Sequence, residues 1–291
     1  MNVLLLGNTG QLGAELARIL PSLGNLVALD YPEIDMADAD GIRAVLQKHS
    51  PDIILNATAY TAVDQAEREP ELAELINAAG PALLAEEARK RSALLVHYST
   101  DYVFDGKKGT PYLEVDQPNP LNIYGLSKLH GEEAIQQADG NYLIFRTSWV
   151  YSLGNKSGFV QKALEWSRQY ETMRVVDDQI SNPTWARMLA ESAVRVLEKG
   201  VDALKDKRGL YHLAGSGFVN RFDWTRQILD LDPNKEAQIV REILPAKNAD
   251  FPTPAQRPTF SALNCNLFQE TFGLDIPNWE DSLRLAMGTA R

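Results

Sequence analysis

The chain has 291 residues, with 29 Lys plus Arg against 39 Asp plus Glu, which gives a formal net charge of −10 near neutral pH. That balance argues against general duplex nucleic-acid binding, because the longest basic cluster is the mixed Lys205-Asp206-Lys207-Arg208. With 44% hydrophobic and 23% charged residues, the composition is that of an ordinary globular protein with a sizeable core, and the length suggests two domains. Cys265 stands alone, which excludes an intrachain disulfide and the cysteine spacings of a structural zinc site, and fits a reducing compartment. No apolar run approaches the roughly 18 residues that crossing a bilayer requires, and the N-terminal run is cut too early by Gly7 to read as a signal peptide. A cytoplasmic protein that engages neither membrane nor nucleic acid is expected.

Short Leu-rich or β-branched runs recur at near-even spacing: Val3–Leu6, Leu26–Leu29, Asp52–Leu55, Leu94–His97 and Leu143–Phe145. Such runs read as parallel strands buried on both faces. Amphipathic stretches lie between them at Gln11–Leu20, Ala39–His49, Pro70–Lys90 and Asn122–Ala138. Strand and helix alternating five times is the order of an α/β, Rossmann-type doubly wound sheet. Beyond residue 150 the rhythm is irregular, with loops at 152–158, 177–184, 214–221 and 245–258. Helices are expected near Ser157–Tyr170, Thr184–Lys199, Arg221–Leu229 and Trp279–Met287. The expected division is a dinucleotide-binding domain over 1–150 and a smaller, mainly substrate-binding lobe over 151–291, some of whose segments return to the sheet.

Gly7-Asn8-Thr9-Gly10-Gln11-Leu12-Gly13 follows the first strand and opens the first helix. Gly7 permits the tight turn, Gly10 lets the backbone approach a diphosphate, and Gly13 permits close packing of helix on strand. The partial positive charge at the helix start favours that diphosphate. Asp30 closes the second strand, where an acidic residue accepts hydrogen bonds from an adenosine ribose. A carboxylate there opposes a 2′-phosphate, and the physics leans toward NADH over NADPH.

Tyr124-Gly-Leu-Ser-Lys128 sets a phenol and an ammonium four residues apart on one helix face. A neighbouring cation stabilises a phenolate and lowers the phenol pKa toward the working range of an acid catalyst. Tyr98-Ser99-Thr100-Asp101-Tyr102 leaves the fourth strand at the carboxyl edge of the sheet, where ligands collect. The Thr100 hydroxyl is placed to orient a substrate carbonyl beside Tyr124. Thr100, Tyr124 and Lys128 are therefore the candidate catalytic residues.

Taken together, these motifs resemble the extended short-chain dehydrogenase/reductases. Further motifs carry the resemblance along nearly the whole chain: Asn56-Ala-Thr-Ala-Tyr-Thr-Ala-Val-Asp64 with Glu67, Pro120–Lys128 with Gly131-Glu132, Phe145–Tyr151, Asp178-Gln179 with Pro183-Thr184, and Arg257-Pro258 with Ser261. Within that family the likeness is to the reductases of dTDP-linked 4-keto sugars. It implies that NADPH or NADH reduces the C4 ketone of dTDP-4-dehydro-L-rhamnose, giving dTDP-L-rhamnose for surface polysaccharide synthesis. It further implies that Gly10, Gln11 and Leu12 hold the cofactor diphosphate, Asp30 the ribose, Asp35 and Met36 the adenine, and Ala59-Tyr60-Thr61 the cofactor beyond the third strand. Thr100 and Asp101 would contact the sugar, Trp149 would wall its pocket, and Lys128 would bind the nicotinamide ribose. Arg257 is the candidate for the substrate diphosphate, since guanidinium matches phosphate bidentately. Relatives also suggest a homodimer, and Mg²⁺ held through Glu15 and Glu191. The family usually carries Gly where Ser181 stands, which questions that loop's backbone.

Two other readings share this scaffold. A nucleotide-sugar epimerase or 4,6-dehydratase is one; the dehydratases follow Thr with Asp-Glu, whereas Thr100 precedes Asp101-Tyr102. A non-catalytic regulatory subunit similar to the methionine adenosyltransferase β-subunit is the other, against which the complete Thr100, Tyr124 and Lys128 set argues.

Overall fold

The computed structural model describes residues 1–154 and 158–288. Five strands, β1 (Asn2–Leu6), β2 (Asn25–Leu29), β3 (Ile53–Asn56), β4 (Leu94–Thr100) and β5 (Asn141–Thr147), pair in parallel in the order β2-β1-β3-β4-β5. The chain leaves β1 toward β2 and then crosses back to β3, so the strand order reverses beside β1. Ligands bind at such a switch point, outside the carboxyl ends of the strands.

The strands are apolar throughout because both faces are covered. Val3, Leu5, Ile53, Leu55, Leu94 and Val96 point to one side, where they meet helix α1 (Gln11–Ile19) through Leu12 and Leu16. Leu4, Leu6, Ile54, Leu95 and Ile144 point to the other, against helix α2 (Ala39–His49) and the Gly80–Arg91 and Ile123–Gln137 helices. Asp38 caps α2 by accepting the Asp40 and Gly41 N–H groups, each at 3.1 Å.

Several elements differ from the sequence reading. A sixth parallel strand, Gly209–His212, joins the sheet beside β5. Helix Ala186–Leu197 and the Phe268, Phe272 and Ile276 side chains share the apolar core with α1. The expected helix over Pro70–Lys90 is interrupted by a wider turn at Leu75–Ala79, between helices Pro70–Glu74 and Gly80–Arg91. That turn carries the buried Asn77 side chain, which bonds the Tyr60 backbone in both directions (2.8 and 3.2 Å) and reaches the Ser127 hydroxyl at 3.0 Å. Thr184 and Trp185 are extended, pairing with Val150 and Tyr151, so the next helix begins at Ala186.

Tyr151, Val160, Leu164, Met173, Val175, Trp224, Ile228, Trp279 and Leu283 form a separate apolar core. Helices Phe159–Ser167, Arg221–Asp230 and Trp279–Ala286 surround it, with strands Thr172–Val176 and Glu242–Ala246 paired in parallel. The expected helix start at Ser157 lies outside the described residues, as do positions 155–156 of the expected 152–158 loop. Ser181 lies in an extended pair with Val219, without positive φ, so that backbone does not require glycine. Its buried hydroxyl donates to Asp101 Oδ2 at 3.1 Å. Among the described residues, no helix is long and apolar enough to cross a membrane.

Candidate active site

At the start of α1 the chain makes a turn that only glycine fits. Gly7 has φ +87°, and a Cβ there would sit 2.9 Å from the Ala57 carbonyl carbon. A Cβ on Gly13 would fall 1.8 Å from the Gly7 oxygen. Gly10 is the N-cap of α1, and no side chain caps that end. Its leading N–H groups face the cleft free of side-chain partners, the arrangement that binds a diphosphate.

One cleft of about 400 Å³ runs from this turn along the carboxyl ends of the strands. It is lined by Gly10, Gln11, Leu12, Ala59, Thr61, Thr100, Asp101, Tyr124, Lys128 and Trp149, ten of the residues singled out from sequence. Ala57, Thr58, Tyr98, Ser99, Thr147, Ser148 and Val150 also line it; they lie within the quoted motifs but were assigned no role from sequence. The Ser99 and Thr147 hydroxyls are buried without a hydrogen-bond partner among the described residues.

The Ile123–Gln137 helix carries Tyr124 and Lys128. Its N-terminus is fixed by Asn122, which accepts from Gly125 N–H at 2.8 Å, and by Glu67, which accepts from Ile123 N–H at 2.8 Å. A turn further along, Glu132 makes two hydrogen bonds to Arg146 on β5 (2.9 and 2.6 Å), a buried ion pair. Helix and sheet are thereby locked in register beside Thr100.

Burial pushes the Tyr124 phenol above the ordinary tyrosine range, with the neighbouring Thr100 hydroxyl acting in the opposite direction. The lowering expected from Lys128 is therefore not present. Lys128 instead directs Nζ to the Tyr98 carbonyl at 2.6 Å and to His97 Nε2 at 3.0 Å, and burial pulls its amine down to about 8. Asp101 is also buried; it accepts from Ser181 and from Ser261 (2.5 Å), and burial raises its carboxyl to about 6.

Other expected site residues sit outside the cleft lining. Asp30 accepts from the Thr9 N–H and hydroxyl (2.9 and 2.5 Å) and from Tyr31 N–H (2.8 Å), so it pins the glycine turn from beneath. Asp35 accepts from Ala37 N–H at 2.9 Å, and Met36 belongs to the apolar core with Ile34 and Ile42. The Tyr60 phenol turns away to Glu69. Arg257 spends its fork on Asp64 (3.1 and 2.7 Å), the Thr253 hydroxyl and the Ala255 carbonyl. Glu15 pairs with Arg187 at 3.2 Å, and among the described residues no group of three or more His, Cys, Asp or Glu is placed to hold a metal ion.

Sequence reading missed Arg221. Its guanidinium carbon lies 3.6 Å from the centre of the Trp149 ring and 4.4 Å from that of Phe159, and no carboxylate pairs with it among the described residues. Burial pulls its pKa down to about 10, while the fields of Tyr102 and Asp101 act in the opposite direction. A lone Arg in a helix start gives no pattern; only the fold brings it against Trp149 on the cleft wall.

This sheet, glycine turn and Thr–Tyr–Lys cleft define a Rossmann-type enzyme of the extended short-chain dehydrogenase/reductase class. The chain belongs to the RmlD substrate-binding domain family, whose model matches residues 1–291. It is 41% identical to the dTDP-4-dehydrorhamnose reductase of Escherichia coli K12 over 285 residues, covering 96% of this chain and 95% of that one. A solved structure of a dTDP-4-dehydrorhamnose reductase from Clostridium acetobutylicum superposes with a TM-score of 0.91 at 31% identity, covering 99% of each chain. Another, from Bacillus anthracis in complex with NADP, gives 0.89 at 32% identity, again over 99% of each.

Proposed function

We propose that this protein reduces the C4 ketone of dTDP-4-dehydro-L-rhamnose to dTDP-L-rhamnose, using NADPH or NADH. The observation that carries the reading is that Thr100, Tyr124 and Lys128 line one cleft with the uncapped start of α1. The identity of 36–41% with several curated dTDP-4-dehydrorhamnose reductases supports it.

In this reading the α1 N–H groups hold the cofactor diphosphate, and Gln11, Leu12, Ala59 and Thr61 line its path; Gly7 and Gly13 shape the turn. The bound nicotinamide supplies hydride to C4. Tyr124 gives its phenolic proton to the C4 oxygen, and Thr100 holds that oxygen within reach of the phenol. Lys128 binds the nicotinamide ribose and steadies the phenolate charge once the proton has left. Asp101, Ser181 and Ser261 hold the loop after β4 in place, and Trp149 walls the sugar. With Arg257 engaged by Asp64, Arg221 is the better-placed cation for the substrate diphosphate. Residues 1–150 serve the dinucleotide, and the lobe around Trp224 serves the sugar nucleotide. The Bacillus anthracis relative is bound to NADP; in this reading the Asp30 carboxylate at the end of β2 favours NADH in this chain.

The deciding assay supplies dTDP-4-dehydro-L-rhamnose with NADPH or NADH separately and follows absorbance and product stereochemistry. Cofactor oxidation is expected, with little on dTDP-glucose. Ligand binding without any turnover would reject the reading in favour of a regulatory subunit, and purification with tightly retained nicotinamide would favour an epimerase.

A further inference from the structure

Behind the cleft, three buried side chains admit very few protonation patterns. Asn56 and His97 are register partners on β3 and β4, and both are fully buried. The Thr58 backbone N–H, which can only donate, lies 3.1 Å from Asn56 Oδ1, and the Thr58 hydroxyl lies 2.5 Å from the same oxygen. That fixes the amide, with Oδ1 toward Thr58 and Nδ2 toward His97 Nδ1 at 3.1 Å. Amide nitrogen only donates, so Nδ1 accepts. Burial first, and the field of Lys128 second, hold the imidazole well below its ordinary range, so the ring is neutral and carries its proton on Nε2. Nε2 lies 3.0 Å from Lys128 Nζ. An ammonium has no lone pair to receive that N–H; a neutral amine has one, and it still donates to the Tyr98 carbonyl at 2.6 Å.

We propose that His97 is a positioning residue that sets the charge of Lys128: its Nε2–H stabilises the neutral amine, and protonating the amine moves the ring proton to Nδ1. The count balances, because Lys128 gains one proton from water while His97 exchanges one nitrogen for the other. The Nδ1–H form needs an acceptor, so the Asn56 amide turns over; it gives up the bond from the Thr58 N–H, while the Thr58 hydroxyl reverses and accepts from the amide nitrogen. Thr58 lines the cleft, and the charge of Lys128 is thereby coupled to the wall that meets the dinucleotide. The other groups around Lys128 are Tyr124 and Glu132 on its own helix, Arg146 on β5 paired to Glu132, and Asp101 after β4 held by Ser181 and Ser261. Of these, Glu132 raises the pKa of Lys128 and opposes His97.

The proposal rests on the reading of Tyr124 as proton donor, but its first test does not need activity. With ¹⁵N-labelled histidine, the four His give resolvable ring signals, and His97→Gln identifies those of His97. In the wild type, Nε2 is expected to carry the proton at pH 9 and Nδ1 at pH 6.5, with the swap centred near 8 and no imidazolium. One tautomer across that range, or an imidazolium, would overturn the proposal. The second test is the alkaline limb of kcat/KM. His97→Leu removes both the donor to the amine and the acceptor for the ammonium, and with them the Asn56 turnover that protonation costs the wild type, so that limb moves up by about one pH unit, the worth of one hydrogen bond. His97→Gln, whose amide can donate to Nζ, keeps it near the wild-type position. An unmoved limb in His97→Leu would also overturn the proposal. If the wild type itself reduces no sugar nucleotide, the functional reading fails, and the nitrogen spectra still decide the role of His97.

Discussion

The Arg221 guanidinium carbon lies over the Trp149 ring, 3.6 Å from its centre, and Trp149 holds a left-handed backbone with φ +40°. For a bulky side chain that conformation costs about 1–3 kcal/mol and persists only where its surroundings dictate it. Trp224, stacked at 5.4 Å with a 17° tilt between rings, and Arg221 together supply that constraint.

Among the described residues no carboxylate pairs with Arg221, which is why it is proposed for the substrate diphosphate. Arg221→Met is expected to raise KM for the dTDP-sugar about 10- to 100-fold, the range of a charge-assisted hydrogen bond. The dissociation constant of the nicotinamide cofactor should change less than about twofold. Steady-state kinetics and cofactor titration check both, and an unchanged KM would remove Arg221 from the site.

Tyr124→Phe keeps the ring and its edge contact with Tyr102, whose centroid is 5.8 Å away, but removes the proton. We expect kcat to fall by about 10²–10⁴-fold, the usual contribution of a general acid, with cofactor binding and thermal midpoint retained. Turnover equal to the wild type would exclude Tyr124 as the acid.

Asp30→Ser tests the carboxylate at the end of β2. Removing its charge should shift the preference toward NADPH by about tenfold in the ratio of kcat/KM values, since like charges repel. The same substitution removes the anchor of Thr9, so both cofactors should bind more weakly. A preserved NADH to NADPH ratio would show that the carboxylate serves the glycine turn alone.

Asp101 gives a pH signature. Its folded pKa of about 6 lies above the unfolded value of about 3.9, so the folded state holds the proton more tightly. The stability contributed by the protonated form is lost as pH rises from about 4 through about 6. Asp101→Asn removes that dependence. Between pH 5 and 7 the wild type should lose about 1 kcal/mol relative to the variant, measured by urea unfolding; parallel pH curves would contradict the raised carboxyl.

The buried pair of Glu132 and Arg146 carries a stability prediction. Glu132→Ala leaves a guanidinium only 4% exposed without its partner and is expected to cost about 3–5 kcal/mol. Urea unfolding reads this directly, and a loss under about 1 kcal/mol would mean that water reaches Arg146.

The five sheet strands were legible because double burial makes each one a continuous apolar run, and the glycine turn because its spacing answers two steric demands. Gly209–His212 was not legible: four residues, Gly-Leu-Tyr-His, hold too little pattern to mark a strand, and pairing with β5 makes it one. The wide turn at Leu75–Ala79 was hidden for a related reason, since helical periodicity is nearly blind to one added residue and the bonds of Asn77 to Tyr60 and Ser127 are long-range.

Sequence by itself determined the covalent order of strand, glycine turn and helix, and the four-residue spacing that puts Tyr124 and Lys128 on one face. These are local quantities, set by steric fit and helical period. Tertiary structure decided charge and partnership: that Lys128 meets His97, that Arg257 is neutralised by Asp64, and that Arg221 lies over Trp149. Those outcomes depend on distances between residues up to 193 positions apart in the chain and on how much water reaches each group. Neither is written in any local pattern of residues.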